Sequence, residues 1–466
     1  MRRLFVRQPL TWVAGANEGP TLRRTLGWPA LTAIGLGTML GGIFPTVGAG
    51  GITAGPAVIV SFALSGLVCV CVALCYAEFA SMVPVAGSAY TYAYATLGEI
   101  VAWIIGWDLI LEYGVSVAPT ASSWSAYAQG LLAQIGIHLP AWAMTAHVVF
   151  GQAPSFDLIA AVIVLFVTGI VAIGIRESAN VNGAFVFLQV IAMIVFVVVA
   201  WRFIHPVNLH PFAPHGWHGV VTGAAQVFFA YIGFDTVTVA AEEAKNPKRD
   251  VPIGILISLL VGGLLYCAIA YVTVGVLSPA HYTNGGGAAM SDVIASISSN
   301  PWLLAVVGFG GIAGNLTVML TSLLGQIRIF YVMARDRMLP PAVARIDPRF
   351  RTPMQMTMIT GCVVAVLAAV YPLGILLEFT NIGTLCAFAI VCAGVLVLRV
   401  VRPDAPRPFR VPMAPVLCIG GVVGCIYLMS GLALPTWLRF GIWFALGIVI
   451  YAVYGYRHSR LRTATP

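Results

Sequence analysis

Three carboxylates lie within apolar stretches of this sequence. Asp108 and Glu112 are four residues apart in one stretch, and Asp235 ends a run of mainly aromatic residues that begins at Phe228. An unpaired charge inside a membrane costs at least about 2.5 to 3.5 kcal/mol, so each acid needs a function or a partner. Residues i and i+4 share one face of a helix, which places Asp108 and Glu112 side by side. Such carboxylates can hold a cation, or they can be held by backbone groups and by serine and threonine neighbours.

Glycines interrupt two apolar stretches. Residues 35–44 read Gly-Leu-Gly-Thr-Met-Leu-Gly-Gly-Ile-Phe and precede Pro45, and residues 228–235 read Phe-Phe-Ala-Tyr-Ile-Gly-Phe-Asp. Both patterns predict local unwinding, which a membrane tolerates only where the freed backbone groups are buried in protein or line a cavity. The glycines of the first segment are also compatible with simple close packing of helices. Unwound N–H and carbonyl groups would fit the carboxylate and the ammonium of an amino acid.

The composition indicates that these stretches are membrane helices. The chain is 60% hydrophobic and only 9% charged, whereas roughly 25% of an ordinary soluble domain is charged. Twelve candidate helices begin near residues 28, 56, 100, 156, 181, 218, 252, 301, 354, 374, 413 and 437. The interrupted helices are the first and the sixth, which is the offset of two inverted repeats of five helices.

These observations predict an all-α polytopic membrane protein with twelve transmembrane helices. The predicted segments are a cytoplasmic N-terminal segment (1–27), a first five-helix repeat (28–205), a second inverted repeat (218–401), helices 11 and 12 (413–457) and a cytoplasmic tail (458–466).

The charge pattern predicts the orientation. Of the 24 lysines and arginines, all but Arg202 and Arg439 fall on one side of the predicted topology, which leaves 22 on that side. The positive-inside rule places that side, with both termini, in the cytoplasm. The protein is expected in the plasma (inner) membrane. The net charge of +8 is spread over short connections rather than over one soluble face, so no nucleic acid is expected as a partner.

Several long strings of residues resemble one known family. The chain closely resembles the cationic amino acid transporter family of the APC (amino acid-polyamine-organocation) superfamily, and the resemblance covers nearly the whole chain. It rests on residues 54–57, 75–80, 83–90, 107–113, 176–179, 228–235, 242–247 and 326–331. The resemblance implies a LeuT-type fold, which is a five-plus-five inverted repeat with two additional C-terminal helices, and it implies amino acid transport.

The family also implies where the substrate binds. Gly41, Gly42 and Ile43 would lie near the substrate carboxylate, Phe229 would cover the ligand with its ring, and the carbonyl of Ile232 would face the amino group. The full set of predicted substrate-binding residues is Thr38, Met39, Gly41, Gly42, Ile43, Phe229, Ala230, Ile232 and Asp235.

The sequence departs from the family at two places. The family's first helix usually reads glycine, a small residue and glycine before Ile-Phe, whereas Gly41 and Gly42 are adjacent here, so the register of the carboxylate contacts stays open. Proton-coupled bacterial relatives tend to carry a lysine in the fifth helix where this chain has Gln189, and an amide cannot titrate. Gln189 and Glu112 are therefore the predicted coupling and charge positions. Glu112, together with Asp235, is predicted to compensate a cationic substrate side chain.

The predicted function is secondary transport by alternating access of cationic amino acids such as arginine, lysine and ornithine, by facilitated diffusion or exchange. Alternatives are a proton-coupled permease for neutral amino acids such as alanine and an amino acid sensor that does not transport. No histidine lies inside a predicted span, so an enzyme is not expected, and neither is a cofactor. The expected partners are a small-molecule amino acid and the lipid bilayer. Glu78, Glu242 and Glu243 are predicted to pair at the cytoplasmic helix ends with Arg176, Lys245 or Arg249.

Overall fold

The computed structural model of the chain describes residues 26–82, 88–146, 155–174, 179–239, 244–350, 352–404 and 406–459. Helices make up most of these residues, and the β-structure within them is one isolated bridge between Leu26 and Ala244. Most of the predicted N-terminal and C-terminal cytoplasmic segments lie outside these ranges.

The described residues form eighteen α-helices. The first eight are α1 (Trp28–Met39), α2 (Ile43–Ala54), α3 (Val58–Met82), α4 (Ser88–Thr96), α5 (Glu99–Leu109), α6 (Val117–Gln134), α7 (Leu158–Ile173) and α8 (Ala179–Ala200). The remainder are α9 (Gly216–Val227), α10 (Thr236–Val239), α11 (Pro247–Val276), α12 (Ala289–Ile297), α13 (Pro301–Arg335), α14 (Met354–Val370), α15 (Leu373–Val401), α16 (Ala414–Ser430), α17 (Leu434–Ile450) and α18 (Tyr456–His458).

Tighter and wider helical turns join some of these helices. The 3₁₀ turns are Leu40–Gly42, Gly55–Ala57, Ala141–Ala143, Trp201–Phe203, Pro206–Leu209, Phe228–Tyr231, Pro279–His281, Asn284–Gly286 and Pro341–Ala344. The π-helical turns are Ile110–Val115 and Tyr451–Gly455.

Eight helical segments among the described residues are long and apolar enough to cross a membrane, and the longest is Trp28–Met82 with 55 residues. Three further apolar helices, α7, α14 and α16, are shorter. Large apolar side chains face outward from these helices, as at Val400, which is 82% exposed, and Phe166, which is 61% exposed. Such a surface suits lipid rather than water. The chain is therefore an all-α, multi-pass integral membrane protein.

The interrupted helices lie at the centre of the helix bundle. The turn Leu40–Gly42 contacts the turn Phe228–Tyr231, and α13 packs against both Leu40–Gly42 and Ile110–Val115. Tyr231 and Tyr266 pack edge to face beside Phe62 and support the second interruption from behind. The α-helices thus place four short non-α segments, Leu40–Gly42, Ile110–Val115, Phe228–Tyr231 and residues 232–235, within one region.

Candidate substrate site

The second interruption is an unwound stretch between α9 and α10. After the 3₁₀ turn Phe228–Tyr231, Ile232 is extended (φ −62°, ψ 134°), and Gly233 has a φ of +115°. Residues with a Cβ rarely adopt that φ, so glycine at position 233 permits the turn of the chain. The unwinding that the sequence predicts between residues 228 and 235 is confirmed.

The first interruption differs from the prediction, because the backbone stays helical. Met39, Gly42 and Ile43 all have right-handed helical dihedral angles, and Leu40–Gly42 only tightens into a 3₁₀ turn. The prediction that this segment unwinds is therefore wrong. A methyl group on Gly41 would lie 2.5 Å from the carbonyl oxygen of Gly314, and one on Gly42 would lie 2.8 Å from Cα of Ala230. The glycines serve close backbone packing on two sides, which was the alternative interpretation.

Thr38 joins the two interrupted helices. Its hydroxyl oxygen lies 2.9 Å from the carbonyl oxygen of Gly233 and 3.0 Å from the hydroxyl oxygen of Thr236. Thr236 also donates to the Gly233 carbonyl at 2.6 Å. These bonds satisfy part of the backbone that unwinding exposes, as a membrane interior requires.

A cavity of about 40 Å³ lies between these segments. Its thirteen lining residues are Thr38, Gly42, Glu112, Tyr113, Ser116, Phe229, Ile232, Gly233, Asp235, Thr236, Val318, Thr321 and Ser322. The structure thus brings together six of the sequence-predicted residues, namely Thr38, Gly42, Glu112, Phe229, Ile232 and Asp235.

The other predicted residues lie beside the cavity rather than in its wall. Gly41 packs on Gly314 of α13, and the methyl group of Met39 packs on Gly262 of α11. Ile43 is fully buried in the core, the carbonyl of Ala230 accepts a 2.9 Å hydrogen bond from Tyr266, and the amide of Gln189 donates to the carbonyl of Gly37 at 3.4 Å.

Glu112 lies in the π-helical turn Ile110–Val115, which follows α5. Its side chain is 1% exposed, and neither carboxylate oxygen has a hydrogen-bond partner among the described residues. Asp108 is also fully buried one turn earlier, beside the thiol of Cys386, and it does not line the cavity. Glu112 therefore offers an unused carboxylate to the cavity. Single π-turns within helices are frequent at functional sites.

Asp235 has a neutral partner. The hydroxyl of Tyr113 donates a 2.7 Å hydrogen bond to Oδ2 of Asp235. The salt bridges of the described residues all involve Glu78, so none neutralises Asp235 or Glu112. The two carboxylates thus face one small cavity without a cation from the described part of the chain.

Sequence reasoning missed half of the cavity wall. Tyr113 and Ser116 follow Glu112 in and beside the π-turn, whose geometry no sequence pattern predicts. Val318, Thr321 and Ser322 come from α13 and share one face through their i, i+3 and i+4 spacing.

Glu78, at the helix end that the charge pattern predicts to be cytoplasmic, has other partners than those predicted. Glu78 of α3 accepts from Nε of Arg399 at 3.0 Å, lies 3.5 Å from Nε of Arg407 and accepts from the backbone N–H of Val411 at 2.8 Å. The predicted pairing of Glu78 with Arg176, Lys245 or Arg249 is corrected accordingly. The Glu78 carboxylate is 1% exposed, and a buried charge requires a partner in a fixed position. The helix α15 supplies Arg399 as such a partner, and the loop after it supplies Arg407. Glu242, Glu243 and Arg176 lie outside the described residues.

Comparison with known proteins identifies the family. The model of the family described as amino acid permease matches residues 26–454. The branched-chain amino acid permease BcaP of Bacillus subtilis (strain 168) is 42% identical, over 96% of this chain and 97% of the relative. The methylthioribose transporter of the same organism is 40% identical, over 99% of this chain and all of the relative.

Plant proteins are also similar. Cationic amino acid transporter 7, chloroplastic, of Arabidopsis thaliana is 35% identical, over 90% of this chain and 73% of the relative. Similar proteins with different named substrates thus match at least 90% of this chain, and all of those cited are named as permeases or transporters. The chain therefore belongs to the amino acid permease family of the APC superfamily.

Proposed function

We propose that the chain is a secondary amino acid transporter that works by alternating access and binds its substrate in the central cavity. The observation that carries this proposal is the unpartnered Glu112 carboxylate, which faces a cavity between two interrupted helices. A buried carboxylate of this kind calls for a cation. An amino acid supplies one through its ammonium group, and no reaction on the substrate is required.

The proposed architecture has twelve spans. Counting the 55-residue segment Trp28–Met82 as two spans turns the eight long segments into nine, and the three shorter helices bring the total to twelve. The proposed repeats are residues 28–205 and 218–401, followed by 413–457. Contacts between helices five spans apart support this arrangement, since α2 packs on α9, α3 on α11, α6 on α13 and α7 on α14.

The substrate would bind by its backbone groups at the two interruptions. Gly42 lines the cavity in the 3₁₀ turn between α1 and α2, and the family resemblance assigns the substrate carboxylate to this position. The Ile232 carbonyl lies in the unwound stretch and suits an ammonium. The remaining proposed positions, which are Met39, Gly41, Ile43 and Ala230, flank these residues in sequence, and Gln189 lies behind α1 as a neutral side chain.

The cavity must widen for transport. A volume of about 40 Å³ holds about three water molecules, which is less than an amino acid occupies. On the proposed outer side, Phe44 packs edge to face on Tyr127, with ring centroids 5.6 Å apart, and Gly48 packs directly on Gly286. Separation of these contacts, with α1, α2, α9 and α10 moving against the rest, would open the cavity outward.

We favour a cationic amino acid such as arginine, lysine or ornithine as the substrate. Glu112 and Asp235 bring two carboxylates to the cavity, whereas no lysine or arginine of the described ranges lines it. The second carboxylate would compensate the side-chain charge of the substrate. Facilitated diffusion or exchange fits Gln189, because its amide cannot carry a transported proton.

A neutral, branched-chain substrate is the second candidate. The relative BcaP, at 42% identity, is named for branched-chain amino acids, and Phe229, Ile232 and Val318 give the cavity an apolar wall. In that case Glu112 would hold a proton rather than a substrate side chain, and uptake would follow a proton gradient.

Uptake into proteoliposomes separates these candidates. We propose measuring the uptake of radiolabelled arginine and of radiolabelled leucine, each with and without an imposed proton gradient. The proposed orientation is the one that the charge pattern favours, with both termini on the cytoplasmic side of a plasma (inner) membrane. Arginine uptake that ignores the gradient supports the cationic carrier, and gradient-driven leucine uptake supports the neutral permease. Binding of either amino acid without uptake by a folded protein would contradict transport and favour a sensor.

A further inference from the structure

A second cavity, of about 450 Å³, lies at the end of α6 that the charge pattern predicts to be external. Its wall comes from α6, the segment 144–146, Asp157, the segment 284–285 and the connection from α14 to α15. It shares no lining residue with the central cavity. Its volume falls within the range of about 300 to 1,000 Å³ that small-molecule sites occupy.

A chain of hydrogen bonds orients the polar groups of this wall. Ser125 donates to Oδ1 of Asp157 at 2.6 Å, and that oxygen also accepts from the N–H of Ala160 at 2.9 Å. The Gln129 amide nitrogen donates to Ser125 at 2.9 Å and to the carbonyl of Met144 at 2.7 Å. Both amide hydrogens are thereby used, which fixes the orientation of the Gln129 side chain.

The orientation leaves buried acceptors without donors. Gln129 is 7% exposed, and its Oε1 has no partner among the described residues. Asp157 is 5% exposed, and its hydrogen bonds from Ser125 and from the N–H of Ala160 both go to Oδ1. Ser122 Oγ is also without a described partner. Unsatisfied buried acceptors cost free energy, and a ligand that donates hydrogen bonds would recover it.

The charge of the wall selects the ligand. Among the described residues that line this cavity none is a lysine or an arginine, and Tyr371 is the other titratable group beside Asp157. A wall with one carboxylate and the buried, unbonded Oε1 of Gln129 fits a donor with several N–H bonds and a positive charge. The volume exceeds that of a bare metal ion.

We propose that this outer cavity is a second binding site, in which Asp157 and Gln129 hold the ammonium group of an amino acid. The proposal rests on the proposed function for the identity of the ligand. Ser116 of the central cavity precedes Ser122 by six residues and Gln129 by thirteen along the same helical run, or roughly 9 and 20 Å at 1.5 Å per residue. The outer site therefore lies beyond the central cavity along α6, on the side predicted to be external, and would hold a substrate before the inner cavity opens.

Cysteine modification tests the outer site without relying on transport. Thr145 lines the cavity and is partly exposed, so Thr145→Cys is reacted with a cationic and a neutral methanethiosulfonate, with the wild type as the background for its nine cysteines. A nearby carboxylate should speed the cationic reagent about tenfold relative to the neutral one. Asp157→Asn should abolish that preference. Asp292→Asn should preserve it, because Asp292 bonds to Thr283 and does not line the cavity.

Protection by the amino acid completes the test. Arginine or leucine, whichever is bound, should slow the modification of Thr145→Cys, and it should still do so in the Glu112→Gln background, where uptake through the central site is lost. An unchanged cation preference in Asp157→Asn would overturn the outer site, as would protection by sodium alone or loss of protection in Glu112→Gln. If Asp157→Asn does not fold, Gln129→Leu takes its place, with reduced protection as the expected result. If Glu112→Gln loses uptake while the amino acid still protects Thr145→Cys, the central site has failed and the outer site still binds. The two sites can therefore be tested separately.

Discussion

The hydroxyl of Tyr113 donates a 2.7 Å hydrogen bond to Oδ2 of Asp235, and this bond links the π-turn after α5 to the unwound stretch before α10. Tyr113 and its neighbour Glu112 both line the central cavity. The wider turn of a π-helix allows adjacent residues to reach the same cavity. Because the partner of Asp235 is neutral, the carboxylate stays available to a cation.

Tyr113→Phe should weaken the site while the fold remains intact. Loss of a hydrogen bond to a carboxylate costs about 1.5 to 3 kcal/mol, so we expect uptake to fall by about tenfold or more. Initial uptake rates in proteoliposomes measure this, with Tyr331→Phe as the control because Tyr331 is 41% exposed. Equal uptake by Tyr113→Phe and the wild type would show that Asp235 does not depend on this bond.

Gly41→Ala should destabilise the protein by about 1 to 3 kcal/mol. The added methyl group would lie 2.5 Å from the carbonyl oxygen of Gly314 and from Val318, so α1 and α13 would have to separate. Gly130→Ala is the matched control, since nothing lies within 4 Å of its added methyl group, and it should be neutral or stabilising by up to about 1 kcal/mol. Thermal unfolding in detergent compares the two. Similar melting temperatures would contradict close packing as the role of Gly41.

Glu78→Gln should destabilise the end of the bundle where α3 meets α15. The substitution leaves the buried Arg407, whose side chain is 4% exposed, without the charge of Glu78 beside it, and breaking a buried pair costs about 3 kcal/mol. Thermal unfolding measures the loss, and Asp347→Asn is the control, because Asp347 accepts only from the backbone N–H groups of Arg349 and Phe350. A melting temperature equal to that of the wild type would mean that the ion pair contributes no net stability.

The cation preference of the outer cavity should depend on pH. Burial raises the pKa of Asp157 to about 7, so the carboxylate is charged above that pH and neutral below it. The ratio of cationic to neutral modification rates at Thr145→Cys should therefore be high at pH 8 and fall towards one near pH 6. A bound ammonium should shift this midpoint downward, because it favours the charged carboxylate. A ratio that stays constant from pH 6 to 8 would contradict the role of Asp157.

The sequence predicts the second interruption well and the first poorly, for a physical reason. Gly233 within an apolar run marks a backbone turn that needs a positive φ, and such a turn follows from local chemistry. Gly41 and Gly42 are identical in type, but their role depends on Gly314 and Ala230, which are distant in sequence. The composition and the charge pattern suffice for an all-helical membrane protein, because the bilayer acts on every span in the same way.

The cavity wall illustrates the same limit. Glu112 and Asp235 are recognisable because a carboxylate in an apolar stretch requires an explanation. Thr321 and Ser322 carry no such signal, since hydroxyl groups in membrane helices often bond to their own backbone, as Thr321 does to the carbonyl of Thr317 at 2.9 Å. The partners of Glu78 were missed because Arg399 and Arg407 approach it only through the tertiary fold.

The most direct test of the account is uptake of radiolabelled arginine and leucine by Glu112→Gln in proteoliposomes, beside the wild type and Asp292→Asn. The account predicts that the wild type and Asp292→Asn take up one of the two amino acids. Glu112→Gln should lose at least about tenfold in rate, because the free carboxylate of the cavity is gone. Uptake by Glu112→Gln at the wild-type rate would contradict the central claim that this carboxylate serves the transported amino acid.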